Sequence, residues 1–191
     1  MKFLSLPLLA LLALAASPAS AHTGIDATFG VVAGLAHPIG GLDHVLAMVA
    51  VGLLAAQLGG ASLWRVPAVF VVVMAAGGAL GFSGLALPYV EMGILGSVIV
   101  LGAVIALGGR MSPNLALALV GTFAVFHGHA HGSEMPTDAQ GALYGLGFLT
   151  ATAALHLSGI GLGLGLARST PLALRTSGAA IACLGIGLAV L

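Results

Sequence analysis

Charge is what this sequence has least of. Five Lys and Arg and five Asp and Glu make up 5% of its 191 residues, where soluble domains carry about 25%. That scarcity excludes an ordinary soluble fold. With zero net charge there is also no basic surface for nucleic acid and no acidic tail for a basic partner. Cysteine is nearly absent as well. The single Cys183 excludes an intramolecular disulfide, and within its long apolar run it reads as a small buried packing residue.

What fills the chain is apolar, 60% of it hydrophobic, with 30 Gly. The glycines lack a collagen period and are scattered among Leu, Ala, Val and Ile. Several pairs recur at four-residue spacing: Gly30 and Gly34, Gly77 and Gly81, Gly141 and Gly145, Gly159 and Gly163, Gly161 and Gly165. Small residues at that spacing let membrane helices approach closely. The run from Gly159 to Gly165 lacks the preceding strand and polar surroundings of a nucleotide loop, so it too reads as helix packing.

Residues 1–21 combine an early Lys2, an apolar centre and the small residues Ala19-Ser20-Ala21, which predicts a secretory signal peptide. Cleavage there would leave His22 as an N-terminus whose amine and ring nitrogen can chelate a metal together. Residues 22–191 are expected to form one six-helix transmembrane domain, since about 20 residues cross the hydrocarbon core. The expected spans are Thr28 to Gln57, Val66 to Leu87, Tyr89 to Leu107, Leu115 to His131, Ala139 to Ala167 and Leu172 to Leu191. The fold class is therefore an all-α integral membrane protein, a six-helix bundle in a lipid bilayer after an N-terminal signal peptide. Arg65, Arg110, Arg168 and Arg175 fall in or beside the loops of one side, and Asp26, Glu91, Glu134 and Asp138 toward the other. By the positive-inside rule the arginine side is cytoplasmic, which puts both termini of the mature chain outside.

Seven His outnumber either charge class, and they cluster. The first span contains His37-Pro38-Ile39-Gly40-Gly41-Leu42-Asp43-His44. Ionisable residues at membrane depth cost roughly 2.5 to 3.5 kcal/mol each, which marks a site. Pro38 suggests a cap or break at His37. In a continuous helix His37 and His44 would share a face, with Asp43 turned about 100° away to ligate a metal or hold an imidazole. Met48, one turn beyond His44, reads as packing.

The fourth span ends in Phe126-His127-Gly128-His129-Ala130-His131-Gly132-Ser133-Glu134. His127, His131 and Glu134 make one helical stripe of metal-binding type, and His129, which faces away only if the helix persists, joins them as a metal-ligand candidate. Gly128 and Gly132 favour an irregular backbone there. Elsewhere, the lone His156 reads as a hydrogen-bonded helix contact. Glu91 reads equally as a carboxylate at a helix N-terminus or as a cation acceptor. Imidazole and carboxylate suit nickel, cobalt, zinc, copper or iron, and the lack of thiolate donors fits an ion that is released rather than stored. A bis-imidazole haem b carrier, an intramembrane zinc hydrolase and a metal chaperone without transport use similar donors.

With both motifs assembled, the chain resembles the HupE/UreJ family of hydrogenase and urease accessory membrane proteins, in layout over nearly its whole length. The resemblance implies a nickel permease rather than an enzyme, with cobalt as a second cargo and no organic cofactor, serving a nickel hydrogenase or urease maturation system. It implies His37, Asp43, His44, His131 and Glu134 as permeation ligands, and Glu91 more weakly.

Overall fold

The computed structural model describes residues 30–109, 111–135 and 140–190. The expected signal peptide, His22, Asp26, Arg110 and Asp138 lie outside them. Among the described residues there are seven helices and no strand: α1 Gly30–Gly40, α2 Leu42–Leu58, α3 Ser62–Phe82, α4 Val90–Leu107, α5 Pro113–Ser133, α6 Gln140–Ser169 and α7 Pro171–Ala189. Helices α3, α4, α6 and α7 are long and apolar enough to cross a bilayer, and α1 with α2 qualifies as one bent span. The 21-residue α5 is not among them, because its last turns spend their length on histidine and glycine.

The expected first span is not one helix. It bends by 84° between α1 and α2, and the break falls at Gly41 rather than at His37. Pro38 stays inside α1. Gly41 adopts an extended conformation and caps α2, and its carbonyl accepts the first α2 hydrogen bond, from Val45, at 3.0 Å. The side chain of Asp43 folds back over this corner, where Oδ1 accepts the backbone N–H of His44 at 2.8 Å. A Cβ on residue 41 would sit 2.8 Å from that same oxygen, so a side chain there would displace the Asp43 carboxylate from the corner.

The fourth expected span departs in the opposite sense. Its glycines do not loosen it, and α5 runs unbroken from Pro113 to Ser133. Ser112 caps it by accepting the Leu115 N–H at 3.2 Å, with Pro113 in the first turn, where its missing donor costs nothing. Gly128 and Gly132 serve packing instead: a Cβ on either would collide with α3 backbone, at the Met74 and Gly78 carbonyls respectively. Gly77 and Gly81 meet Val125 and His129 from the other side.

The partners in these close approaches give the helix directions. Positions 74, 78 and 81 of α3 meet progressively later residues of α5, and Gly34 and Gly52 meet Tyr144 and His156 of α6; both pairs are parallel. Gly102 and Gly185 place α4 and α7 antiparallel. In lipid such contacts, rather than apolar burial, hold helices together. Gly30, Gly34, Gly159 and Gly163 behave as expected, but Gly161 and Gly165 face open space. Cys183 is exposed, not buried as the sequence suggested, because α7 turns that face outward. Such exposed apolar side chains as Val72 and Leu157 suit a hydrocarbon solvent.

These directions gather the charges at opposite ends. Arg65 near the start of α3, Arg168 near the end of α6 and Arg175 near the start of α7 share one end. Asp43, Glu91 and Glu134 share the other, with the histidine motifs.

Candidate metal-binding site

The corner at Gly41 is what assembles the site. His37 and His44 do not share a helical face; the bend lets one residue from each limb reach α5. His131 Nδ1 lies 2.9 Å from His37 Nε2, and His131 Nε2 lies 3.1 Å from His44 Nδ1, so three imidazoles form a hydrogen-bonded row with His131 at its centre. Glu134, just past the end of α5, places Oε2 3.4 Å from His37 Nε2 and 3.9 Å from His131 Nδ1.

Donor atoms of His37, His131 and Glu134 all stand within 4.8 Å of one another. Ligands about 2.0 to 2.2 Å from a divalent ion stand roughly 3 to 3.6 Å apart at ordinary coordination angles, so this triad needs only a small contraction to hold one. Phe148 of α6 backs the row, its ring centroid 4.4 Å from that of His131, 5.3 Å from His44 and 6.1 Å from His37. Tyr144, one turn earlier, sits 5.7 Å from His37. Neither aromatic stood out in the sequence; their four-residue spacing on the face shared with His156 was the available signal.

Exposure falls steadily from the triad, through the row, to the histidines beyond it. The side chains of Glu134, His37 and His131 are 59, 36 and 16% exposed, whereas His44 falls to 3% and His127 and His156 to zero. His127 packs against His44 with centroids 5.2 Å apart. It donates from Nδ1 to the Phe123 carbonyl at 3.0 Å, which fixes the tautomer and leaves the Nε2 lone pair free. Six side-chain polar atoms among the described residues are buried without a hydrogen-bond partner: His44 Nε2, His127 Nε2, His129 Nδ1, Thr152 Oγ1 and both ring nitrogens of His156. Each costs about 1 to 3 kcal/mol. His156 is therefore not the hydrogen-bonded helix contact that the sequence suggested.

The remaining sequence candidates stand apart. His129, a metal-ligand candidate in the sequence, turns away from the row because α5 stays helical; its Nε2 bonds to the Leu85 carbonyl at 2.6 Å and ties α5 to the segment after α3. Glu91 is exposed in the first turn of α4, outside the His37, His131 and Glu134 group. Asp43 holds the α2 corner. Met48 is a fully buried core residue. Beside His131, a cavity of about 270 Å³ opens between α3, α5 and α6 and is bordered by Met74, Gly78, Phe82, Tyr144 and Phe148.

Both motifs thus meet in one place, and comparison with known proteins gives the family. The HupE / UreJ protein family model matches residues 9–188. The chain belongs to the HupE/UreJ family. One HupE/UreJ relative, "Protein HupE" of Rhizobium leguminosarum bv. viciae, is 48% identical over 175 residues, which is 91% of each chain. No solved structure matches.

Proposed function

We propose that this protein is a nickel permease of the cytoplasmic membrane, with cobalt as a second cargo, serving maturation of a nickel hydrogenase or urease. One observation carries the reading: two motifs about 90 residues apart in sequence meet in a row of donors graded from exposed to fully buried. A storage site would enclose its ion, and a catalytic metal would keep one open position on a fixed cage. A graded row suits an ion that sheds water stepwise as it moves inward.

The passage is read as six spans after a cleaved signal peptide. The alternating helix directions support counting α5 as a span in spite of its polar end. Arginine at the opposite end makes that end cytoplasmic, so the histidine end and both mature termini face outward. Glu134 and His37 capture the ion, His131 passes it to His44, and Asp43 acts as a positioning residue that holds the α2 corner. Glu91 adds negative potential at the mouth. The protein is read as a carrier and not as an enzyme.

The His37, His131 and His44 rings are in direct contact, which leaves no slot for a haem between them. A zinc hydrolase draws some support from the lateral cavity beside His131, since a substrate would need such an entrance. Radioactive nickel accumulation by cells expressing the protein separates these readings. Wild-type protein should raise uptake and His44→Ala should return it to background; wild-type uptake no higher than in cells lacking the protein would overturn the permease.

A further inference from the structure

His127, Thr152 and His156 lie beyond the row just described, and nothing in the capture role accounts for them. Phe148, Thr152 and His156 follow one another at four-residue spacing on one face of α6, so His156 is about 12 Å further along the helix than Phe148. All three are buried, Thr152 and His156 completely. The Phe70 ring of α3 bridges the group, with centroids 5.6 Å from His127 and 5.1 Å from His156. His44 reaches it from above through His127. His127 Nε2, Thr152 Oγ1 and both His156 nitrogens have no partner, although other α6 hydroxyls, on Thr150 and Ser158, bond to carbonyls one turn back.

We propose that His127, Thr152 and His156 form a second cation station, deep in the bundle, that takes a divalent transition-metal ion from His44. The inference rests on the permease reading of the outer row and adds a site to it. Its donors are two imidazoles and a hydroxyl, with no carboxylate. A site of this kind neutralises none of the ion's charge and holds it more weakly than the Glu134 triad, which suits onward release. Phe70 packs against both imidazoles of the station.

Cobalt(II) binding to the full-length purified protein tests this, because thiolate ligation to cobalt gives a near-ultraviolet charge-transfer band that imidazole does not. In a Cys183→Ala background, His156→Cys should develop that band as cobalt is added. His156→Phe, which keeps the volume, should bind one cobalt fewer than wild type and transport nickel about tenfold more slowly, while the outer ion stays bound. No band in a folded His156→Cys protein that binds cobalt at the outer row would overturn the deep station alone. If wild type binds no cobalt at all, both the station and the permease reading fall.

Discussion

At the histidine end of the bundle, α1, α2, α5 and α6 bring the imidazoles of His37, His44, His127 and His131 and the rings of Tyr144 and Phe148 together around the Gly41 corner. At the arginine end the same bundle is filled by Leu54, Val66, Leu101, Ile105, Ala116 and Val120, all essentially inaccessible. Polar contacts there serve closure: Gln57 Nε2 donates to the Ile105 carbonyl at 3.2 Å, and Arg175 Nε donates to the Ala106 carbonyl at 2.9 Å. Donors lead in from one side and end against an apolar plug. On the permease reading, an ion enters from the histidine end, and release requires the other end to part.

Five substitutions probe that contrast. The largest effect is expected for His131→Ala, which removes the ring bonded to both His37 and His44: nickel affinity in a titration of purified protein should fall by about 100-fold or more, with little change in melting temperature. Leu101→Ala should do the reverse, lowering stability by about 2 to 5 kcal/mol through a core cavity while nickel affinity stays within about twofold. Similar binding losses in both would dissolve the distinction between the ends.

Glu134→Gln should weaken nickel capture by roughly tenfold, because the exposed carboxylate is the only charged member of the outer triad. Protons compete for the imidazole lone pairs, so wild-type affinity should fall as pH is lowered. Affinity that rises on acidification would exclude histidine ligation. The smallest effect belongs to Asp43→Asn. An amide oxygen can still accept the His44 N–H, so uptake should stay within a few-fold of wild type, while Asp43→Ala should lose substantially more. Equal loss in the two would make the carboxylate a ligand rather than a brace.

The sequence carried the all-helical class, the segregation of charge and the two motifs, because these are local patterns: long apolar runs, Arg against Asp and Glu, and clustered His. Their meeting point required tertiary information. Pro38 is the stronger local breaker, yet the chain turns at Gly41, where Asp43 occupies the space that a side chain would need. Gly128 looked disruptive from its conformational freedom, but close packing against Met74 and Gly78 keeps it helical. His156 and Phe148 were obscure because single polar or aromatic residues in an apolar helix create no motif; only the neighbouring helices give them meaning. Cys183 failed for the same reason, since an apolar run does not say which of its faces meets lipid.

Passage of the ion is distinct from its binding and needs its own test. The most direct measurement is nickel entry into liposomes loaded with a metal-sensitive dye and reconstituted with the protein. The account predicts rapid quenching with wild type and background rates with His131→Ala. Wild-type protein that binds nickel yet leaves the dye unchanged would contradict it and identify a metal chaperone instead.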